Sequence, residues 1–179
     1  KTGKGFYEKT KVKDENGRTI INALDLKSLE YRKSIRPKIA LIKEAKGIEK
    51  MDKRFQLLIS KDEKESLFLK EYFAAILSYS AQRIPEISDT CYQVDDAMRA
   101  GYVWDYGPFE YWDLIGFDNG ISLINDSGEE LPKWINEMKS LGANCFYKYE
   151  NGERKYYDLF SHTYKKIPGS DAFIILDSY

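Results

Sequence analysis

Cysteine and histidine are scarce in this chain: among its 179 residues there are two cysteines and one histidine. Cys91 and Cys145 stand far apart, and neither belongs to a C-x-x-C pair. The sequence therefore predicts neither a disulfide framework nor a zinc site, and two free thiols favour a reducing, cytoplasmic location. The single histidine, His162, has Asp158 nearby in the sequence. Catalysis would need both side chains in one cleft, and we expect no catalytic role for them.

Long apolar runs and the glycine motifs of nucleotide-binding folds are also missing. No stretch reaches the roughly 18 apolar residues that a membrane span requires. The patterns G-x-G-x-x-G, G-x-x-x-x-G-K-[ST] and G-x-S-x-G do not occur. These residues thus lack the signals of a dinucleotide fold, a nucleoside-triphosphate loop and a hydrolase nucleophile. We predict no catalytic residue, no metal and no cofactor in this chain, and no membrane span.

A strong charge of either sign is absent, since the formal net charge is −1. Domains that bind nucleic acid usually carry a basic excess, so we expect no nucleic-acid partner. The total hides an asymmetry: residues 1–60 carry 16 Lys/Arg against 8 Asp/Glu, and residues 61–179 carry 12 against 21. Either a solvated basic linker accompanies an acidic body, or the basic third is a surface for a phosphate-bearing ligand or an acidic partner.

Helical spacing dominates the middle of the chain. Pro37 begins a basic helical segment, a short run follows through Phe55, and Pro132 begins the last helix. Ser60 and Glu63 form a capping-box pattern before a long helix. That helix should be the best buried, through an apolar stripe at Leu69, Tyr72, Phe73, Ile76 and Tyr79. The last helix should bury Trp134, Ile135, Met138 and Leu141.

Two similar phrases lie near opposite ends of the chain: GKGFYEK at residues 3–9 and GANCFYKY at residues 142–149. Each is an aromatic pair followed by charge and then by an Asn-Gly step, Asn16-Gly17 and Asn151-Gly152. Asn-Gly between alternating residues is a strong short-range hairpin signal, so both regions should be small β-hairpins. The repeat suggests the tail of one module followed by a complete second copy.

The stretch AGYVWDYGPFEYWDLIGFDNG, residues 100–120, surrounds one Gly-Pro step with aromatic side chains. Gly107 should be the N-cap of a short helix that begins at Pro108 and ends near Gly116. Glu110 then lies at N3, where its charge meets the positive end of the helix. Phe109 and Trp112 should face inward, so packing is favoured over ligand binding.

Asp95 and Asp96 precede this stretch on a predicted helix. Adjacent helical residues point about 100° apart, which argues against an acid-base pair. We expect at least one of them to pair with a basic neighbour such as Arg99.

Residues 95–116, DDAMRAGYVWDYGPFEYWDLIG, closely resemble the signature of the C-terminal helical domain of 3-hydroxyacyl-CoA dehydrogenases. GKGFY at residues 3–7 resembles the phrase that closes this domain in the same family. The matching positions are Asp95 or Asp96, Met98, Gly101, Gly107, Pro108, Phe109, Glu110, Asp113, Ile115 and Gly116. The resemblance implies structural roles for Asp96, Gly101, Gly107, Pro108, Phe109, Glu110, Asp113 and Gly116.

The resemblance implies a mainly α fold, a small helical bundle of the 6-phosphogluconate dehydrogenase C-terminal-like type with short β-hairpins at its edges. It implies three parts: the tail of a preceding copy and a basic connecting segment at 1–60, the helical domain at 61–160, and an extended linker at 161–179. The linker includes the apolar Phe173, Ile174, Ile175 and Leu176. Multifunctional fatty-acid oxidation enzymes of this family carry two such helical copies in tandem, in some cases followed by an enoyl-CoA hydratase domain.

For the parent protein, the resemblance implies oxidation of (S)-3-hydroxyacyl-CoA to 3-oxoacyl-CoA with NAD. In the family a histidine oriented by a glutamate is the base, and both lie in a dinucleotide-binding domain that these residues do not encode. An asparagine that contacts substrate in the catalytic copy corresponds here to Gln82, a weak substrate-proximal candidate. The implied partners are the first helical copy and the NAD-binding domain of the same chain, with the parent's acyl-CoA substrate. The fragment alone should be inactive and could form a homodimer.

The competing interpretation is a stand-alone binding module for a sugar or for CoA. Its platform would consist of the rings of Tyr102, Trp104, Tyr106, Phe109, Tyr111 and Trp112. The solvent exposure of these rings discriminates between a binding module and a scaffold. Three or more coplanar exposed rings favour a binding platform, and rings buried around a helix start favour a scaffold. A further alternative is a CoA-binding surface in the basic N-terminal third.

Overall fold

A computed structural model of the chain describes residues 4–35 and 37–170. The chain divides into two compact units, Lys1–Ile39 and Ala40–Tyr179. The predicted tail residues Phe173 to Leu176 lie outside the described residues.

The first unit is a three-stranded antiparallel sheet of β1 (Tyr7–Lys13), β2 (Thr19–Leu24) and β3 (Tyr31–Lys33), in that order. The turn between β1 and β2 contains Asn16 and Gly17, as the sequence predicts. Asp14 Oδ1 accepts hydrogen bonds from the amides of Asn16 and Arg18, and Gly17 has a φ of 74°. A glycine adopts this left-handed conformation without a steric penalty, and the first hairpin is confirmed.

No described residue of the first unit is buried. The buried hydrophobic residues of the described chain begin at Leu41. A small sheet without a buried face has little apolar area to offset the entropy of ordering its strands. The first unit is therefore a thin sheet rather than a domain with its own core.

Seven helices and a second small sheet make up the described part of the second unit. The mainly α class is confirmed. The helices are α1 (Ala40–Lys46), α2 (Met51–Ser60), α3 (Lys64–Gln82), α4 (Cys91–Tyr102), α5 (Pro108–Ile115), α6 (Phe117–Ser127) and α7 (Lys133–Ser140). The antiparallel sheet has the order β4 (Tyr147–Glu150), β5 (Glu153–Asp158) and β6 (Thr163–Lys166), and its first turn is the predicted Asn151-Gly152.

The long central helix α3 buries only part of the predicted stripe, because Leu69 and Ile76 pack against the core but two tyrosines do not. Phe73 is buried as expected, but Tyr72 and Tyr79 are 42% and 63% exposed. The buried side also includes Leu77 and the small residues Ser66, Ala74, Ser78 and Ala81. Small side chains allow α6 to approach α3 closely, and a pattern scored on large apolar residues alone misses them.

Two further predictions were wrong at helix ends. Ser60 is the last residue of α2, where its Oγ donates to Leu57 O, and α3 begins after Glu63 without a side-chain cap. Ser60 therefore ends α2, although the capping-box pattern placed it at the start of α3. Leu141 lies just past the end of α7 and is 56% exposed, whereas Ile135 and Met138 are buried as predicted.

The helical unit starts earlier in the chain than the predicted boundary at residue 61. α1 packs on α2, and α2 packs on both α3 and α5, so residues 40–60 belong with the helices. At the other end, β6 pairs with β5, and residues 163–166 are part of the sheet rather than of an extended linker. Helix packing decides the first of these boundaries, and strand pairing decides the second.

Candidate functional site

The last part of the signature segment, residues 108–115, forms helix α5, which begins and ends where the sequence predicts. Gly107 is the N-cap and Pro108 the first helical residue, and Glu110 Oε2 accepts a hydrogen bond from Gly107 N at 2.7 Å. Gly116 follows the last residue with a φ of 101°. A carboxylate at N3 satisfies one of the free amides at the helix start, and the predicted cap is confirmed.

Asp95, on the preceding helix α4, supplies the remaining acceptors at the start of α5. Its Oδ1 lies 2.9 Å from Phe109 N, and its Oδ2 lies 3.1 Å from Glu110 N. The hydroxyl of Tyr147 donates to the same Oδ2 at 2.6 Å. Burial raises the pKa of Asp95 to about 8, although the bonds from Tyr147 and Phe109 favour its charged form. Asp95, which lies in α4, thus caps the start of α5.

Asp96, the aspartate to which the resemblance assigned a structural role, has the opposite environment. It is exposed and forms an ion pair with Arg99 one turn later, which confirms the predicted pairing with a basic neighbour. Because adjacent helical positions face different directions, only Asp95 points into the protein. The structural role assigned to Asp96 therefore belongs to Asp95.

Gly107 is required by the closeness of α4. A Cβ atom at this position would lie 2.3 Å from the Cα of Asp95 and 2.3 Å from its Cβ. Backbone atoms cannot move aside as a flexible side chain can, so no larger residue fits. Gly120 is restricted in the same way, since its Cβ would lie 2.0 Å from Trp112 Nε1.

Glu110 connects three elements of the second unit. Its Oε1 pairs with Arg154 of β5 at 2.6 Å and with Arg99 of α4. Burial alone would raise the pKa of Glu110, but the bond from Gly107 N and the charges of Arg154 and Arg99 outweigh it and lower that pKa below its usual range. The carboxylate is thus charged and fully engaged inside the protein.

Asp113 fixes the start of the second sheet. Its Oδ1 accepts from Phe146 N at 2.8 Å, and its Oδ2 accepts from Tyr147 N at 2.9 Å. Burial raises the pKa of Asp113 to about 7, against the effect of these two bonds. Asp95, Glu110 and Asp113 together hold α5 to α4, β4 and β5.

The aromatic rings of this region pack rather than form a flat platform. Phe109 and Trp112 are completely buried, and the indole of Trp112 donates to Phe117 O at 3.0 Å. Of the six rings considered, Tyr102 alone is largely exposed. It meets Trp104 at an interplanar angle of 49°. The criterion for a sugar or base platform, three exposed coplanar rings, is not met.

A cleft of about 380 Å³ opens beside α5. Its lining consists of Asp105, Tyr106, Glu110, Asp113, Leu114, Tyr147, Tyr149 and Arg154. Arg154 already pairs with Glu110 and lies 4.0 Å from the centre of the Tyr147 ring. Because Glu110, Asp113 and Arg154 are bonded to one another or to backbone amides, the lining is suited to holding elements together. Among the described residues, no cluster of His, Cys, Asp and Glu could hold a metal ion.

Gln82 and His162 lie apart from this cleft. The Gln82 side-chain amide, in the last turn of α3, donates to Ser78 Oγ at 2.9 Å and to Glu130 O at 3.3 Å. His162 Nε2 lies 3.8 Å from a carboxylate oxygen of Glu137. Asp158 accepts bonds from Ser161 and Lys165, so it does not orient the histidine.

Sequence reasoning missed Tyr147 and Arg154. Both lie in the second hairpin, more than 30 residues beyond the signature segment. The Asn-Gly turn predicts the hairpin itself but does not indicate which of its side chains reach Asp95 and Glu110. Their partnership requires the hairpin to pack against α4 and α5, which no local pattern encodes.

Comparison with curated proteins finds three relatives, one named for 3-hydroxyacyl-CoA dehydrogenase and two for fatty acid oxidation. It is 35% identical over 158 residues, 88% of its length, to a probable 3-hydroxyacyl-CoA dehydrogenase of Bacillus subtilis (strain 168). The chain is homologous to part of that dehydrogenase. It is also 28% identical over 127 residues to a putative fatty acid oxidation complex trifunctional enzyme of Rickettsia felis, and 26% identical over 138 residues to the one of Rickettsia prowazekii.

The homologous region is a small part of each relative: the chain spans 19% of the Bacillus protein and 15% and 17% of the two Rickettsia proteins. No protein-family model and no solved structure matches the chain. Among the helices of the described residues, none combines the length and apolar character that crossing a bilayer requires.

Proposed function

We propose that the chain is a non-catalytic helical part of a longer, cytoplasmic β-oxidation protein that oxidises (S)-3-hydroxyacyl-CoA to 3-oxoacyl-CoA with NAD. The observation that carries this proposal is the 35% identity to the Bacillus protein named a probable 3-hydroxyacyl-CoA dehydrogenase, over 88% of the chain. Two free cysteines, Cys91 and Cys145, suit the reducing cytoplasm.

The non-catalytic role is supported by how the acidic side chains around α5 are used. Asp95, Glu110 and Asp113 all accept bonds from backbone amides, and Glu110 also pairs with two arginines. A general base must reach a proton of its substrate, and these carboxylates are instead engaged by amides and side chains of their own domain. In the proposed parent, NAD and the acyl-CoA would be bound by residues outside this chain.

The proposed partner is a homologous helical domain of the same parent chain, with which this one would form a pseudo-dimer. Phe68, Tyr72 and Tyr79 form an exposed stripe on α3, with Ala75 on the same face between them. Phe68 is 64% exposed, and its ring stacks on Tyr72 with centroids 6.5 Å apart. An apolar stripe at helical spacing on a long helix suits another helix, and a tethered copy would cover it at high effective concentration.

The architecture proposed for the parent is two tandem copies of this domain, of the 6-phosphogluconate dehydrogenase C-terminal-like type. In that proposal, residues 1–39 are the tail of the first copy and a connecting sheet, and the second copy begins at Ala40. Similar hairpins around Asn16-Gly17 and Asn151-Gly152 support the repeat, because each follows a related aromatic phrase.

The catalytic part of the proposal is tested by an NADH assay with 3-hydroxybutyryl-CoA. We expect no NADH from the 179-residue chain and steady NADH formation from the complete reading frame that contains it. NADH production by the chain alone would refute the non-catalytic role. Failure of the complete protein to oxidise any 3-hydroxyacyl-CoA would refute the proposed activity.

The partner is tested by sedimentation of the chain across a range of concentrations. We expect concentration-dependent self-association, because a second chain can take the place of the missing copy. Replacing Phe68, Tyr72 and Tyr79 by serine should abolish it. The matched control is Phe160→Ser, since Phe160 is equally exposed but lies outside the α3 stripe. A chain that stays monomeric at high concentration contradicts the docking surface.

A further inference from the structure

The two three-stranded sheets of the chain have the same pairing register. Residues of the first sheet match residues of the second as follows: Tyr7 and Tyr147, Ala23 and Tyr156, Leu24 and Tyr157, Tyr31 and Tyr164. The stretch before the third strand reads DLKSLEY at residues 25–31 and DLFSHTY at residues 158–164. Leu29 and His162, at the same place in these two stretches, have φ values of 59° and 53°. Positive φ is uncommon outside glycine, so the first sheet is a structural repeat of the second.

A hydrogen bond between the third strand and the start of the first recurs in both sheets. The hydroxyl of Tyr31 donates to Gly5 O at 2.6 Å, and the hydroxyl of Tyr164 donates to Cys145 O at 2.6 Å. In each sheet the residue that accepts this bond is followed by a Phe-Tyr pair. The bond therefore fixes the same pair at the same corner of each sheet.

The Phe-Tyr pair of the second sheet attaches that sheet to the helices. Phe146 is 1% exposed, and its ring centroid lies 5.0 Å from that of Phe109 on α5. The amide of Phe146 donates to Asp113 Oδ1 at 2.8 Å. The hydroxyl of Tyr147 donates to Asp95 Oδ2 at 2.6 Å. An aromatic pocket and two carboxylates of the helical unit thus receive this pair.

The Phe-Tyr pair of the first sheet is open to solvent. Phe6 is 70% exposed and Tyr7 is 68% exposed. Among the described residues, the amide of Phe6 has no hydrogen-bond partner, although Phe6 O accepts from Leu24 N at 2.9 Å as Phe146 O accepts from Tyr157 N. Adjacent exposed rings are typical of an interaction site. The first sheet has the attachment groups of the second without the helical surface that receives them.

The helices of this chain are matched to their own sheet rather than to the first one. Arg154, which lies opposite Tyr149, pairs with the buried Glu110 at 2.6 Å. In the first sheet the corresponding place opposite Lys9 is held by Ile21. An isoleucine there would deprive a buried carboxylate of one of its cations, which is costly. The domain that fits the first sheet is therefore a related helical domain with a different sequence.

We propose that the first sheet docks through Phe6 and Tyr7 on a helical domain that is homologous to residues 40–170 but not identical to them. The docking domain offers an aromatic pocket to the Phe6 ring, one carboxylate to the Phe6 amide and a second to the Tyr7 hydroxyl. This inference rests on the tandem architecture proposed above, and it identifies the residues through which the first sheet completes the preceding copy.

The experiment compares hydrogen exchange of the complete protein with that of the 179-residue chain. We expect amides of β1–β3 to exchange about a hundredfold or more slowly in the complete protein, because docking suppresses local opening. They should then be protected about as well as those of β4–β6, which serve as the internal reference. Equal exchange of β1–β3 in the two proteins overturns the proposal, and so does a reading frame without a helical domain before residue 1.

Three variants of the complete protein test the contacts. Phe6→Ser should remove the added protection of β1–β3, because the ring no longer fills its pocket. Tyr7→Phe should lower this protection about tenfold, through the loss of one buried hydrogen bond. The control is Val12→Thr, because Val12 is 61% exposed and lies where the register of β1 shifts, beyond the part that matches the second sheet. Protection that survives both Phe6→Ser and Tyr7→Phe overturns the proposed contacts.

The same measurements separate this docking from the proposed reaction and from self-association. A complete protein with a protected first sheet but no NADH formation would refute the reaction and support the docking. An active protein with an unprotected first sheet would refute the docking alone. If β1–β3 of the 179-residue chain become protected as its concentration rises, the sheet docks on a second copy of this chain, and the requirement for a different domain is wrong.

Discussion

At the scale of single residues, two adjacent aspartates have opposite roles. Asp95 is completely buried and accepts bonds from two amides and a tyrosine hydroxyl, whereas Asp96 is exposed and pairs with Arg99. The difference arises from the 100° turn between neighbouring helical positions. A buried acceptor with several donors contributes far more to stability than a surface ion pair.

We predict that Asp95→Ala lowers the free energy of unfolding by about 2 kcal/mol or more, because it leaves buried donors of Phe109, Glu110 and Tyr147 without an acceptor. Asp96→Ala should change it by less than about 0.5 kcal/mol. Urea unfolding of both variants measures the difference. Equal destabilisation would show that Asp95 is not the cap of α5.

Gly107 and Gly101 form a second pair for comparison. Gly107→Ala should destabilise the protein by about 3 kcal/mol or more, because its Cβ would overlap the Asp95 backbone. Gly101 is exposed in α4, and a Cβ there would meet nothing within 4 Å. Gly101→Ala should therefore stabilise the protein by about 0.5–1 kcal/mol through higher helix propensity. Thermal unfolding checks both signs, and a stable Gly107→Ala protein would contradict the close approach of α4.

At the scale of elements, α5 is fixed at its start by α4 and along its length by the second sheet. Glu110 reaches Arg154 on β5, and Asp113 holds the amides at the start of β4. Two of the three carboxylates in this junction have raised pKa values, which makes the junction sensitive to pH.

We predict that stability falls as pH rises through the neutral range. The pKa of Asp113 is about 7 when folded, against about 3.9 in an unfolded chain. Between these values the folded state binds more protons than the unfolded state, so the free energy of unfolding decreases with rising pH until the folded pKa is passed. Asp95, with a folded pKa of about 8, extends the decline to about pH 8.

Asp113→Asn should flatten this decline, since it removes one of the titrating groups while keeping an acceptor for the Phe146 amide. Urea midpoints at about pH 5 and pH 8 measure the slope. Asp118→Asn is the control, because Asp118 is an exposed carboxylate on α6. An unchanged slope in Asp113→Asn would contradict the protonation of Asp113 below neutral pH.

At the scale of the whole molecule, the two three-stranded sheets differ in their support. The second sheet buries Tyr156 and Tyr157 in the core of its unit, whereas the described part of the first unit has no buried residue. Apolar burial is the main term that offsets the entropy of ordering a strand. The two units should therefore differ in local stability.

We predict that amide hydrogens of β1–β3 exchange much faster than those of β4–β6 and α3. Both sheets are antiparallel with three strands, so the second serves as a matched control for the first. Exchange followed by mass spectrometry reports the free energy of local opening in each element. Equal protection of the two sheets would show that the first unit has support beyond its own residues.

Several features of the fold and site followed from local patterns. The two Asn-Gly hairpins and the Gly-Pro start of α5 depend on the conformational limits of a few adjacent residues, which the sequence displays directly. The full buried face of α3 did not, because its small residues become buried only when other helices pack on α3. Local patterns also did not predict that Asp95, rather than Asp96, caps α5, since this depends on where α5 lies relative to α4.

The sequence by itself determined the mainly α class, the turns, the helix that begins at Pro108, and the relation to 3-hydroxyacyl-CoA dehydrogenases, because these depend on residue types at fixed short spacings. Only the tertiary structure decided that Asp95 caps α5, that Arg154 neutralises Glu110, and that Tyr72 and Tyr79 lie exposed on α3. Each of these contacts joins elements distant in the chain. They form only when the apolar faces pack, and packing is a property of the whole unit rather than of any single segment.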